Sequence, residues 1–405
     1  MTDLESAKLK ACEAIDKAAT ELNSLSQEIW KNPELNFEEH HAHQVLTDFL
    51  EKNGFKVERK FVVDTAFRAT FGSQENGGIN ACVICEYDAL PEIGHACGHN
   101  LIAEAGAGAG LGIKAAMEAA GKPLGKLTVM GTPAEEGGGG KVKLIDAGAF
   151  KDIDLAMMVH PADSGCDAAN IPTLAIIDLV VTFHGKASHA AYAPWEGVNA
   201  LDAAVMFYQN MSVMRQQMKP TWRIHAVISN GGAKPNIIPE KSEVNFYLRA
   251  PTEAELSELK ERALACAEGA AKATGCKMEH KQLMHYSNLL VNKLLAGVFI
   301  QNAERLGVKF LTEEELAKKS AGSTDMGNVT YEVPGIHPIY GLQTDSVNHS
   351  KGFTAATGAP EAQEPTLVQA KAMAMTVLDI FFKGGPIMKQ IREDFEEAIE
   401  KSKGQ

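Results

Sequence analysis

His95-Ala96-Cys97-Gly98-His99-Asn100 places three candidate metal ligands within five residues, and its flanks read as a strand-to-helix turn. Upstream, the apolar run Asn80-Ala-Cys-Val-Ile-Cys-Glu86 reads as a buried strand that Asp88-Ala-Leu-Pro91 breaks. Downstream, Leu101 to Ala119 is rich in Ala, Leu and Ile and reads as a helix. A thiolate and an imidazole two residues apart on such a turn can both face one cation, and borderline metals such as Zn²⁺ favour those donors. Turn cysteines and histidines also occur without metal, so this stretch alone decides little.

Further donors follow at the ends of further strands. Lys126-Leu-Thr-Val-Met130 reads as a short strand, and Gly131-Thr-Pro-Ala-Glu135-Glu136 leads from it into Gly137 to Gly140. The glycines open backbone conformations closed to other residues and allow close approach. Two adjacent carboxylates suit a division of labour in which one binds metal and the other handles a proton. Asp154-Leu-Ala-Met-Met-Val159 reads as a third apolar strand ending in His160-Pro161. Three strand ends thus deliver Cys97 and His99, Glu135 and Glu136, and His160. In open α/β sheets ligands gather in the crevice at the carboxyl ends of the strands.

This pattern resembles the metal-dependent aminoacylase, carboxypeptidase and dipeptidase family, and within it the branch of indole-3-acetyl-amino-acid and aminobenzoyl-glutamate hydrolases. The shared elements are D-A-L-P, H-x-C-G-H-[DN], P-A-E-E-G-G-G-G, the strand-end His160, and a C-terminal His in Thr344-Asp-Ser-Val-Asn-His-Ser-Lys-Gly352. They span nearly the whole chain. Gly322-Ser-Thr-Asp-Met-Gly-Asn-Val329 and Val333-Pro-Gly-Ile-His-Pro338 are more closely similar to the aminoacylase-1-like dipeptidases, which act on β-alanyl-lysine, Xaa-Arg and related dipeptides with basic C-terminal residues.

Carried over residue by residue, the resemblance implies metal ligands Cys97, His99, Glu136, His160 and His349, with Glu135 as general base. It implies two divalent cations per subunit, zinc first, with manganese or cobalt as alternatives. Paired cations would activate a water for attack on an amide carbonyl, and Glu135 would take its proton and return it to the leaving amine. Many relatives carry Asp where this chain has Asn100, which leaves occupancy of the second metal position open. His189 is implied to polarise the scissile carbonyl, in some relatives from the neighbouring subunit. Asn236 and Arg249 are implied contacts for a substrate carboxylate, since Arg can hold a carboxylate through two hydrogen bonds. Asp325 either neutralises a basic substrate side chain or caps a helix. Ser188-His189 has no nucleophile elbow, so a serine hydrolase does not fit.

The expected architecture is α/β with two domains. A mixed-sheet catalytic domain occupies residues 1–175 and 288–405, and a ferredoxin-like lid or dimerisation domain is inserted over 176–287. The insert reads β-α-β-β-α-β: strands near 174–183, 222–229, 243–250 and 277–286, with helices near 197–217 and 252–274. Helices are also expected over about 4–28 and 38–53, and near 366–382 and 387–401. His40, His41 and His43 read as a solvated helix face rather than a metal site. An exposed lid edge predicts a homodimer formed by strand pairing.

Composition agrees with a soluble two-domain enzyme. The chain has 405 residues, 45% of them hydrophobic, and a formal net charge of -13, which disfavours nucleic acid or an anionic membrane as partner. Seven cysteines at irregular spacing do not read as a disulfide framework, and Cys82-Val-Ile-Cys85 reads as buried thiols in a strand. With no signal pattern and no apolar run of about 18 residues, a cytoplasmic location is expected. The function these features imply is amide hydrolysis in small dipeptides with a basic C-terminal residue. The alternatives are an N-acyl-amino-acid amidohydrolase, such as an aminobenzoyl-glutamate or indole-3-acetyl-amino-acid hydrolase, and a catalytically silent binding or scaffold protein. The intact Glu135-Glu136 pair argues against the last.

Overall fold

Strand Asn80–Glu86 (β3) is buried at all seven positions, the signature of a strand covered on both faces. Its side chains alternate between two cores. Ala81, Val83 and Cys85 enter the larger cluster, while Cys82 and Ile84 face a smaller one with Met130, Phe150 and Met326. The computed structural model describes residues 3–74, 78–316 and 322–403. The chain divides into two compact units, Met1–Ile171 with Leu289–Glu400, and Pro172–Asn288 with Lys401–Gln405.

The first unit opens with α1 (Asp3–Lys31), α2 (His40–Lys52), β1 (Lys56–Arg59), β2 (Phe67–Gly72) and β3. It continues through α3 (His99–Ala120), β4 (Lys126–Thr132), α4 (Gly140–Asp146), β5 (Leu155–Met157) and β6 (His160–Ala162). After the second unit it resumes with α7 (Lys293–Arg305), α8 (Glu313–Leu316), α9 (Met326–Glu332), β11 (Gly335–Ile336), β12 (Ile339–Gly341), α10 (Lys351–Thr357), α11 (Gln363–Lys383) and α12 (Gly385–Lys403). The sheet runs β1-β2-β4-β3-β5-β11. β1, β2 and β4 pair antiparallel, and β4, β3, β5 and β11 pair parallel. A mixed sheet results, with α1, α3 and α11 supplying Ile15, Leu22, Ile113 and Val377 to one face. Lys8 of α1 is buried, its Nζ donating to Asn302 Oδ1 of α7 at 2.9 Å and to Asp379 Oδ2 of α11 at 2.6 Å.

Two local expectations are corrected. The apolar run 154–159 does not carry His160 on its own strand. β5 stops at Met157, and His160–Ala162 turns away to pair in parallel with β12 in a separate two-stranded sheet. His43 does not lie on a solvated helix face with His40. It is 6% exposed, packs edge-on against Phe67 with centroids 6.2 Å apart, and accepts the Lys60 amide at 3.3 Å. The short β1 and β2 cover that side of α2, a long-range packing that helical spacing does not encode.

The second unit contains β7 (Ala175–His184), α5 (Ala200–Met214), β8 (Arg223–Asn230), β9 (Lys241–Ala250), α6 (Glu253–Thr274) and β10 (Lys277–Tyr286). Its strands order as β10-β7-β9-β8, all antiparallel, which is the ferredoxin-like arrangement. Alternate β9 residues Val244, Phe246 and Leu248 are buried against Phe207 of α5 and Leu259 of α6. Both helices start on side-chain caps, Asn199 accepting from Leu201 N and Thr252 from Glu255 N, as N-cap chemistry requires. β8 and β10 are the edges.

Candidate active site

β4 ends at Thr132, and the chain then turns through Pro133 and Ala134 to reach Glu135 and Glu136. Ala134 has φ +58°, an unusual left-handed conformation for a residue with a side chain. Glu39 holds it there, its Oε1 accepting the Ala134 amide at 2.9 Å and the Phe37 amide at 3.0 Å. Gly140 closes the turn so tightly that a Cβ there would lie 1.8 Å from Pro133 O. The carboxylate pair is thus mounted on a turn that only this local sequence permits. Gly98, with φ +80°, does the same between Cys97 and His99, and a Cβ there would meet Pro161 at 2.5 Å.

The structure brings the sequence-predicted donors into one cluster. Cys97, His99 and His160 offer ligand atoms within 4.8 Å of one another, as do Cys97, Glu136 and His349, and His99, Glu135 and Glu136. Cys97 belongs to two of these groups and joins the imidazoles to the carboxylates. Cys97 Sγ lies 3.4 Å from His160 Nε2, and His349 Nε2 lies 3.4 Å from Glu136 Oε1. His349 arrives from the loop before α10 with φ +64°, its amide donating to Ala96 O at 2.8 Å.

Hydrogen bonds set the imidazole tautomers. His99 Nδ1–H donates to Asp88 Oδ1 at 2.9 Å, and His160 Nδ1–H donates to Pro161 O at 2.8 Å. Each ring therefore presents Nε2 to the cluster, as a metal-binding histidine must. Burial is outweighed at His99 by Asp88 and Cys97, which raise it well above its ordinary value, so a cation bound there would displace a proton from Nε2. Burial and the nearby His99 push His160 down to about 4, keeping it neutral. His99 Nε2 and Glu136 Oε1 are buried without a hydrogen-bond partner. Buried polar atoms are normally satisfied, and a divalent cation is the partner that a thiol, three imidazoles and a carboxylate fit. Burial and Glu136 raise the Cys97 thiol far above its ordinary value, and a coordinated cation reverses that by favouring the thiolate.

Glu135 and Glu136 are pushed apart. Burial, then the charges of Glu86 and Glu136, hold the Glu135 carboxyl well above the usual carboxylate range. For Glu136 burial is outweighed by His349, whose Nε2 lies 3.4 Å away, and by His99, and its carboxyl is lowered. A carboxyl that can carry a proton thus stands beside one that stays ionised, the condition for separate proton-transfer and ligand roles.

Several residues of the site escaped sequence reasoning. Asp88 bridges His99 and the Glu136 amide, which donates to its Oδ2 at 2.9 Å; its signal was the D-A-L-P motif. Asn348 Nδ2 donates to Pro161 O at 3.1 Å, and the buried His337 ring packs 5.5 Å from His160. Asp325 is corrected. It is fully buried, and its oxygens accept the Lys141 amide at 3.0 Å and Lys141 Nζ at 2.7 Å. Both its oxygens are engaged by Lys141 within the protein, and it makes no side-chain cap at the start of α9. Asn100 is buried and donates to Ser26 Oγ and Thr357 O, both at 3.0 Å.

In the second unit, His189 is exposed and its Nδ1 accepts the amides of Ala191 and Tyr192 at 3.3 and 3.1 Å. That leaves Nε2–H as a donor, the form suited to polarising a carbonyl. Asn236 lies beside it, its carbonyl accepting the Ala190 amide at 3.0 Å. Arg249 is not brought to them. The 231–240 loop enters β9 at Lys241 opposite His184, whereas Arg249 pairs with Ile176 at the other end of the strand. Eight residues of strand place Lys241 and Arg249 roughly 26 Å apart.

Comparison with known proteins places this geometry. Residues 175–274 match the M20 peptidase dimerisation domain. The chain is 49% identical to the Xaa-Arg dipeptidase of Homo sapiens over 408 residues, covering 97% of this chain and 93% of that one. It is 32% identical to a p-aminobenzoyl-glutamate hydrolase subunit of Escherichia coli over 324 residues, covering 75% of this chain and 66% of that one. Among solved structures it shares the fold of the Bacillus subtilis YXEP protein, described as a dinuclear metal binding peptidase of the M20 family. That match has a TM-score of 0.69 and 19% identity, covering 90% of this chain and 99% of the other.

Proposed function

The chain belongs to the M20 peptidase family, and on that premise we propose that it is a metal-dependent dipeptidase cleaving the amide bond of small dipeptides with a basic C-terminal residue. The observation that carries the chemistry is the convergence of Cys97, His99, Glu135, Glu136, His160 and His349 in three overlapping groups whose ligand atoms lie within 4.8 Å of one another. Two divalent cations, zinc first with manganese or cobalt as substitutes, would be held by Cys97, His99, Glu136, His160 and His349. When bound, such ions activate a water and stabilise the developing oxyanion. Glu135 takes the proton of the attacking water and delivers it to the leaving amine. Glu136 remains ionised as a ligand, Asp88 holds the His99 ring in its ligating tautomer, and His189 donates Nε2–H to the scissile carbonyl.

Identity to the Xaa-Arg dipeptidase supports the basic C-terminal residue, and the net charge of -13 is compatible with a cationic substrate. Identity to the aminobenzoyl-glutamate hydrolase subunit supports a second reading, in which the same groups cleave an N-acyl amino acid. The deciding experiment is a panel of Xaa-Arg, Xaa-Lys and β-alanyl-lysine dipeptides against acyl-glutamates, run with metal analysis of the same preparation. Faster turnover of acyl-glutamates reverses the assignment.

A homodimer is proposed through the second unit, whose edge strand β8 exposes Val227 and Ile228 and would otherwise invite uncontrolled pairing. A cytoplasmic location is proposed from the seven free cysteines. No helix among the described residues is long and apolar enough to cross a membrane.

A further inference from the structure

His99 Nε2 faces a second carboxylate besides Glu136. Glu86, the last residue of β3, has its Oε2 3.6 Å from that nitrogen. A carboxylate at the end of a strand buried throughout is costly unless its charge is matched, and here only half of it is. Glu86 Oε1 accepts a hydrogen bond from Lys141 Nζ, which also bonds Asp325 Oδ1 at 2.7 Å. All three side chains have no exposure. One ammonium therefore serves two carboxylates and leaves a surplus negative charge. Glu86 Oε2, on the side away from Lys141, has no hydrogen-bond partner. His99 Nε2 and Glu136 Oε1 are in the same condition, 3.9 Å from each other. Two buried carboxylate oxygens thus face one ring nitrogen with no hydrogen bond among them, and the arrangement calls for positive charge at that point, carried by a proton on His99 or by a bound cation that displaces it.

We propose that Glu86 is a further metal-facing carboxylate of this site, its Oε2 donating to the cation held by His99 and Glu136. Lys141 is its positioning residue, clamping Oε1 so that Oε2 points inward. The separations fit the role. Donors about 2.0–2.3 Å from a shared tetrahedral ion lie about 3.3–3.8 Å apart, and 3.6 and 3.9 Å reach that range with little movement. The consequence is chemical asymmetry. The position at His99 is rich in carboxylate oxygen and accepts a harder ion, whereas Cys97 with His160 makes a softer one. This inference rests on the metallohydrolase reading and adds a ligand to it.

The test is a crystal structure of the full-length protein loaded with zinc and, separately, manganese, with cations located by anomalous scattering. Glu86 Oε2 is expected within about 2.5 Å of a cation. Cations bound at Cys97 and His99 with Glu86 Oε2 beyond about 3.5 Å, or bonded to the Glu135 carboxyl instead, overturn this inference and leave the enzyme assignment standing. Absence of bound cation overturns both. Chelator competition on Glu86→Gln gives an independent reading. One of the two cations is expected to weaken about tenfold or more while the other is unchanged. Equal affinity for both in a variant with wild-type circular dichroism overturns the proposal, and Glu86→Asp, which keeps the charge beside Lys141 but shortens its reach, serves where Glu86→Gln does not fold.

Discussion

Asp88 and His99 form the fully buried pair on which the site is aligned, Asp88 Oδ1 2.9 Å from His99 Nδ1 with neither side chain exposed. The second oxygen of Asp88 takes the Glu136 amide, so one carboxylate orients an imidazole and the turn carrying both acidic residues. Asp88→Ala is expected to weaken metal affinity by roughly 10–100-fold, the usual scale for losing an outer partner of a metal-binding histidine. Asp88→Asn keeps an acceptor for Nδ1–H and should recover part of it. Chelator-competition titration checks both, and unchanged affinity in Asp88→Ala removes the alignment role.

Glu135→Gln keeps the shape of the side chain and removes its capacity to carry a proton. Metal content near the wild-type level with turnover reduced roughly 10²-fold or more is expected. Glu136→Ala should instead lose metal. Equal metal loss in both variants would show that the two carboxylates do not divide their work.

His189→Ala should lower turnover far more than metal content. Mixing this variant with Glu135→Gln asks whether the histidine acts across subunits. Recovery of activity in exchanged mixed dimers is the outcome expected for a crossing contact. Confirmed exchange without recovery assigns His189 to its own subunit's site.

Glu104 links stability to pH away from the carboxylate pair. It is buried in α3, and burial raises its carboxyl from 4.5 to about 7 despite hydrogen bonds from Gln363 and Ser26. The folded state therefore keeps a proton that the unfolded chain loses between those values. The stabilising contribution of the protonated form is complete below about pH 4.5 and is lost as pH rises to about 7, amounting to ~3 kcal/mol. Glu104→Gln remains neutral at every pH. Its melting temperature should match the wild type near pH 4.5 and exceed it at pH 8, and a pH-independent difference between the two melts would contradict the shift.

Local pattern makes much of this molecule legible in the sequence alone. The apolar run of β3, the glycines that follow Glu136 and the β-α-β-β-α-β order of the insert are properties of neighbouring residues, carried by short-range sterics and hydrophobic period. Cys97, His99, Glu135 and Glu136 lie within such segments and can be singled out with them. The pairings that tune those groups cannot. Lys141 meets Asp325 across 184 positions of sequence, and Asp88 and Glu86 face His99 only because β3 and the start of α3 are held side by side. His43 reads as solvated until β1 and β2 cover it, and only the register of β9 shows that Arg249 pairs with Ile176, at the end of the strand away from Lys241. Burial, hydrogen-bond partners and net charge around a group depend on which distant elements pack against it, and only the tertiary structure decides that.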